Sequence, residues 1–323
     1  MEKRLVREMK LISNILSKKL PFLILLVAIG TYFSPFYWKV ATWVPSFLLG
    51  VVIFFTGLSM NIASLKKMRT KKRELLAATI LKWTISVIIS IGLAYIFFAS
   101  KPEIAAGLIL SGTLPSATSA TVYTFLAGGN TSLVIAASLL DVVISPIVAP
   151  LSMMGMFNEH INISFFSLLQ SFLLIVVLPL GIGLFTQKTW PGSEVYSKSA
   201  TKFGSSIALL LIVHTIVGGG KDTISSEISS LPLIAVATFL QVILPMVAAY
   251  FIARKIHISE GDSRAILFHV GLCNTSLAAI LAFKFIGELG AIAPILNMIF
   301  NLSIGAHIAN YFNKLEGADS SGM

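Results

Sequence analysis

The sequence predicts an all-α polytopic membrane protein with ten transmembrane helices, and three observations predict it. First, only 12% of the 323 residues are charged while 56% are hydrophobic, and the mean hydropathy is +0.88. A soluble domain carries about 25% charged residues, so an ordinary cytosolic enzyme and a disordered chain are both excluded. Second, the charges are clumped, and the apolar runs between the clumps reach or approach the roughly 20 residues that a bilayer-crossing helix needs. Third, the Lys and Arg residues crowd into alternate gaps between these runs, as positive-inside loops do. The single cysteine, Cys273, excludes a disulfide scaffold.

The predicted spans are 20–38, 41–60, 75–99, 103–128, 131–153, 162–186, 203–219, 231–253, 264–286 and 290–312. A basic segment, 1–19, precedes span 1, which ends in Ser34-Pro35-Phe36-Tyr37-Trp38. No small-residue cleavage site follows, so span 1 is an anchor rather than a signal peptide. Spans 4 and 5 share one charge-free run, and the turn signal Ala127-Gly128-Gly129-Asn130 divides them. That division puts Asp141 inside span 5. Gly218-Gly219-Gly220 ends span 7, and a tail, 314–323, follows span 10. Tyr37, Trp38, Trp43 and Trp190 sit near span ends, as interfacial anchors do.

With the N-terminus inside, 19 of the 24 Lys and Arg residues fall in inner loops and tails. Lys39, Lys101 and Lys221 fall outside, while Lys82 and Lys284 fall within spans. Both termini are therefore expected in the cytoplasm and the protein in the cytoplasmic membrane. The net charge of +10 is a topology device and a lipid-headgroup contact, with no nucleic-acid partner.

Ten spans divide into two sets of five, 20–157 and 158–313. An odd-numbered set has its ends on opposite sides, so the second copy inserts upside down, a recurrent transporter design. The fourth span of each half is polar at its middle. Span 4 reads Ser111-Gly112-Thr113-Leu114-Pro115-Ser116-Ala117-Thr118-Ser119-Ala120-Thr121, and span 9 reads Gly271-Leu272-Cys273-Asn274-Thr275-Ser276. Pro115 removes a backbone donor and clashes with the preceding turn. Interrupted helices at matching positions of two halves point to a midplane binding site.

These stretches resemble the bile acid:sodium symporter family over nearly the full chain. The resemblance rests on Thr56-Gly57-Leu58-Ser59-Met60, on Leu114 through Val122, and on Gly129-Asn130 with Ser145-Pro146 and Pro150. It rests further on His269-Val270-Gly271-Leu272-Cys273-Asn274-Thr275-Ser276-Leu277-Ala278 and on Asn301-Leu302-Ser303. It implies a core domain of spans 3–5 and 8–10, in which unwound helices 4 and 9 cross, and a panel domain of spans 1, 2, 6 and 7. It also implies transport of an organic anion by alternating access between the two domains.

The departures from the family pattern carry as much information. Where the family has Glu-x-Gly-x-Gln-Asn in helix 9, this chain has His269, Gly271, Cys273 and Asn274. Ala120-Thr121 replaces a family Ser-Asn, Val134 a Ser, Ser138 a Thr, and Lys82 aligns with a Gln. Sodium prefers hard oxygen ligands near negative charge, and these positions offer an imidazole, a thiol and an ammonium instead. Lys82 lies about 10 Å along span 3, where a charge costs about 2.5–3.5 kcal/mol unless it is paired or hydrated. Apart from Glu103 at the first position of span 4, Asp141 is the one acidic residue inside a span.

The expectation is that Lys82, Asp141 and His269 share one polar centre with Ser138 and Cys273 beside it. The ammonium would stand in for a sodium ion, and Asp141 would compensate it. The coupling ion is then Na+, H+ or none, and no cofactor is expected. Thr118, Ser119 and Thr121, with Asn274 and Thr275, are expected to line the crossing and bind substrate. His214 reads as a packed polar residue, Lys284 as an interfacial lysine, and Asn297 and Asn301 as interhelical hydrogen-bonders on one face. No His-Glu-x-x-His, P-loop or acidic metal motif is present, so no enzyme is expected. The partners are a small organic carboxylate and the lipid bilayer, without an obligate protein partner. A channel or sensor on the same fold is the alternative.

Overall fold

In lipid a spanning segment must satisfy its own backbone N–H and C=O groups, and a helix does so internally. The computed structural model describes residues 19–35, 41, 43–59, 70–154, 164–190 and 193–321. Most of the basic N-terminal segment, residues 66–69, Tyr37 and Trp38 lie outside this description.

In chain order the helices are α1 (Lys19–Phe33), α2 (Trp43–Ser59), α3 (Lys72–Phe98), α4 (Pro102–Gly112), α5 (Thr118–Leu126) and α6 (Thr131–Met154). There follow α7 (Phe165–Thr189), α8 (Ser193–Gly219), α9 (Lys221–Ser226), α10 (Leu231–Lys255), α11 (Glu260–Gly271), α12 (Thr275–Phe285) and α13 (Glu288–Ser321). Among the described residues there is no strand. The helices α3, α6, α7, α10 and α13 are each long and apolar enough to cross a membrane, and α1, α2, α4, α12 and the apolar part of α8 are shorter.

Several boundaries differ from those read in the sequence. The described helix of span 1 stops at Phe33, because Pro35 lacks an N–H and restricts Ser34 before it. The helix of span 7 begins at Ser193 rather than 203, and that of span 10 runs on to Ser321. Both extensions are polar stretches that hydropathy does not detect. Spans 4 and 9 are each split into two helices.

The chain separates into two units. Met1–Met60 with Phe166–Ile228 forms one, holding the helices of spans 1, 2, 6 and 7. Asn61–Phe165 with Ser229–Met323 forms the other, holding those of spans 3–5 and 8–10.

In the first unit, α2 and α7 meet backbone to backbone. A Cβ on Gly57 would lie 2.5 Å from the Leu180 carbonyl oxygen, and one on Gly183 would lie 2.2 Å from that of Phe54. Small residues permit such close helix approach in lipid, where packing rather than hydrophobic burial holds helices together. α1 is tied across by Thr31 Oγ1, 2.9 Å from His214 Nδ1, and by Tyr32, hydrogen-bonded to Ser225 at 2.7 Å. Phe22, Phe33, Phe47, Phe166 and Phe185 face outward, as lipid-facing residues do.

In the second unit, α11 is the buried element: every residue from Asp262 to Gly271 is enclosed. α3 is interrupted by a π-helical turn, Lys82–Ser86. Such turns hold one extra residue and are frequent at functional sites. One end of the unit is closed by polar contacts. Lys71 Nζ lies 2.5 Å from Asp262 Oδ2, Asn130 Nδ2 donates to Asp262 Oδ1 over 2.7 Å, and Arg264 Nη1 donates to the Ala127 carbonyl over 2.7 Å. These contacts join three segments that the charge pattern assigns to the same side. Ile88, Ile96, Val143 and Phe251 face outward.

Candidate functional site

The site is built on two chain breaks. α4 ends at Gly112 and α11 at Gly271, and each following segment is extended before the chain turns helical again. Within spans of this kind the freed backbone groups need partners. Here they find each other: the Ala117 N–H donates to the Leu272 carbonyl and the Asn274 N–H to the Pro115 carbonyl, both over 2.8 Å. Ser116 and Cys273 form a single antiparallel bridge at this point. Pro115 can accept but not donate, so its carbonyl is the member that takes part. Asn274 Oδ1 then accepts from the Leu277 N–H and caps α12. Asn301 Nδ2 donates to the Cys273 carbonyl over 3.0 Å and holds the second break against α13.

Around this crossing lie the charged side chains expected there. Lys82, Asp141 and His269 are all 0% exposed. Lys82 opens the π-helical turn of α3, and its Nζ lies 2.8 Å from Cys273 Sγ and 3.5 Å from the Val270 carbonyl oxygen. Asp141 is held from two sides: Trp83 Nε1 donates to Oδ1 and the Ser116 backbone N–H to Oδ2, each over 3.0 Å. His269 Nε2 lies 3.6 Å from the same Oδ2. Four residues thus gather here, but the expected Lys82–Asp141 pair does not form. The ammonium is directed at Cys273 and Val270, while the carboxylate is satisfied by Trp83 and Ser116. The reason is geometric: Lys82 and Trp83 are consecutive on α3 and point to different neighbours.

Ser138 is buried three residues before Asp141 and makes no hydrogen bond to this group. The remaining predicted residues mark the first turns beyond the breaks. Thr118 is exposed at the start of α5, Ser119 and Thr121 are partly exposed, Asn274 is the cap of α12, and Thr275 is buried in its first turn.

A supporting polar layer escaped sequence reading. Ser86 Oγ donates to the Gly112 carbonyl over 3.1 Å and sits 3.7 Å from Cys273 Sγ. Gln241 Nε2 donates to Ser90 Oγ and to the Leu108 carbonyl, and Asn297 Nδ2 donates to Gln241 Oε1 over 2.7 Å. Asn297 and Asn301 therefore serve two different partners rather than one shared one. Gln241 stands alone in an apolar run and Trp83 follows Lys82, neither with a spacing signal. Lys284 is exposed, with Nζ 5.2 Å from the Phe285 ring centre, and His214 is bonded to Thr31.

At the break of span 9 the Lys82 ammonium, the Ser86 hydroxyl and the Asn301 amide meet Cys273, and both oxygens of the Asp141 carboxylate accept from neutral donors. Among the described residues no group of three or more His, Cys, Asp and Glu could hold a metal ion.

Comparison with known proteins places this geometry in context. The family model described as the Sodium Bile acid symporter family matches residues 46–227. The chain is 28% identical over 276 residues to a Bacillus subtilis protein named as the sodium-dependent transporter YocS, covering 84% of this chain and 85% of that one. It is 22% identical to YbaS of the same organism, covering 85% and 90%. It is 26% identical over 293 residues to the probable sodium/metabolite cotransporter BASS1 of Arabidopsis thaliana chloroplasts, covering 87% and 69%.

Proposed function

The chain belongs to the sodium bile acid symporter family and is a membrane transporter, not an enzyme; from that premise we propose that it carries an organic anion by alternating access, with the Lys82 ammonium in place of a sodium ion. The observation that carries the reading is the contact of Lys82 Nζ with Cys273 Sγ and the Val270 carbonyl, at the break of span 9. A backbone carbonyl that would help coordinate a cation there already faces a fixed one.

A tethered ammonium supplies positive charge without an entropy cost of ion capture, and it cannot leave. The energy that a sodium gradient supplies would then be lost from that position, which leaves a proton gradient or the substrate gradient itself. YocS and BASS1 are named for sodium, and this chain departs from their family's pattern at Lys82, His269 and Cys273. The first turns of α5 and α12, with Thr118, Ser119, Thr121, Asn274 and Thr275, offer hydroxyl and amide groups beside this positive centre. Helix N-termini favour anions for the same electrostatic reason. A carboxylate, from a small keto acid to a steroid acid, fits that chemistry.

Counterflow in proteoliposomes tests the substrate class. Vesicles preloaded with one unlabelled organic anion are expected to draw in labelled carboxylate. Exchange of neutral or cationic solutes, with no carboxylate exchanged, would sink the anion assignment.

A further inference from the structure

We infer that Asp141 and His269 form a proton-binding pair whose proton holds the two broken spans together at their crossing. This inference rests on the reading above, in which Lys82 occupies the place of a metal cation, and it names what moves instead.

The geometry carries it. His269 is fully buried on the last turn of α11, and among the described residues neither ring nitrogen has a hydrogen-bond partner. A buried polar group left unpaired is costly, and a partner for the imidazole removes that cost. Its Nε2 lies 3.6 Å from Asp141 Oδ2, somewhat beyond a hydrogen bond. A proton taken up from water onto the neutral imidazole makes Nε2 a charged donor facing a carboxylate, and a small approach closes a strong, charge-assisted bond. The proton leaves by the reverse step, to water on the other side.

The same Oδ2 accepts the N–H of Ser116, which lies within the break of span 4, and His269 lies two residues before the end of α11. A bound proton thus draws α11 toward α6 and, through α6, toward the start of α5. A metal cation bridging two broken helices would act in the same way.

Among the described residues, the buried hydroxyls that lack partners include Ser116 Oγ and Ser145 Oγ, the latter one turn along α6 from Asp141. Among the described residues, the other charged or titratable groups gathered at the crossing are Lys82 from α3 and Cys273 from the second break. Tyr123 of α5 is committed to the Leu302 carbonyl, and α10 presents Met246. The Lys82 ammonium repels a second positive charge at the pair, and the Asp141 carboxylate attracts one.

The test needs no known substrate. Protein carrying 15N-histidine is reconstituted in lipid, and ring-nitrogen shifts are followed by solid-state NMR across about pH 5 to 8, the range in which imidazoles switch. A chain with His160, His214, His257 and His307 all changed to Gln isolates His269, and His269→Gln provides the difference spectrum if that chain fails to fold. The expected result is conversion of His269 between neutral and charged forms within the range, with a midpoint moved at least tenfold in proton concentration by Asp141→Asn. A ring that stays in one form throughout, or a midpoint indifferent to Asp141→Asn, overturns the proposal.

A second arm uses vesicles loaded with a pH dye, with pyruvate and cholate as the probe anions. Uptake with acidification of the lumen, in the absence of sodium, supports the pair as the coupling site. Uptake without sodium and without proton movement overturns it while leaving the Lys82 reading intact. Uptake that strictly requires a sodium gradient overturns the Lys82 reading and this inference with it.

Discussion

The backbone N–H of Ser116 donates to Oδ2 of Asp141 over 3.0 Å, so a carboxylate on one helix takes over a donor that the break of another helix has set free. The opposite oxygen accepts from Trp83. Asp141→Ala is expected to strand the buried Ser116 N–H and the part-buried Trp83 indole N–H. The loss is about 2–6 kcal/mol, since each unpaired group costs about 1–3 kcal/mol and the part-buried one costs less. Asp141→Asn keeps one carbonyl acceptor and should lose less. Thermal unfolding in detergent checks the order; equal melting temperatures for the two variants would contradict it.

Lys82 should be structural as well as electrostatic. The triple variant Lys82→Gln, His269→Glu, Cys273→Gln restores the oxygen ligands that the family pattern carries. It is expected to gain a sodium-dependent rise in melting temperature that the unaltered protein lacks. At a sodium concentration of ten times the dissociation constant, the rise corresponds to about 1.4 kcal/mol. The comparison is sodium against choline at equal ionic strength. A sodium-specific rise in the unaltered protein would contradict the prediction.

Helix crossings at glycine should tolerate no side chain. At Gly107 an added Cβ would lie 1.8 Å from the Gly290 carbonyl oxygen. Gly107→Val is expected to destabilise by about 1–3 kcal/mol or more, the range for overpacking. Gly92, whose Cβ position is open, should accept Ala with little change. Paired unfolding curves for Gly107→Val and Gly92→Ala check the contrast.

Acid should weaken the polar end of the second unit. Burial works to raise the Asp262 carboxyl, but hydrogen bonds from Lys71, Ser259 and Asn130 outweigh it and hold it below the usual carboxylate range. A depressed carboxylate adds stability that is fully present above its unfolded pKa, about 3.9. That stability is lost as pH falls through the folded value. Asp262→Asn should therefore flatten the stability profile below about pH 4 and lower stability at neutral pH. Melting temperatures across that range decide; parallel profiles for the two proteins would contradict the assignment.

Much of the helical pattern was legible because bilayer crossing demands long apolar runs, and charge clumps bound them. The polar ends of α8 and α13 were not, since hydropathy does not register helix beyond the apolar stretch. Pro115 marked the break in span 4. The break in span 9 carries no proline and was visible only through its polar cluster at the corresponding position. The gathering of Lys82, Asp141, His269 and Cys273 could be anticipated because charge inside an apolar span must find company. Which pairs form could not. Lys82 meets Cys273 and Asp141 meets Trp83 and Ser116, and that choice depends on the π-helical turn at Lys82 and on a backbone N–H, neither of which has a residue signature. Gln241 and Asn301 hold the layer beneath by contacts between spans far apart in sequence.

The central claim is that a fixed ammonium does the work of a sodium ion. The most direct measurement is initial uptake of a counterflow-positive anion by proteoliposomes, with sodium on both sides replaced completely by choline. Uptake unchanged by the replacement is the predicted result; uptake abolished by it, and restored by a sodium gradient alone, would contradict the claim.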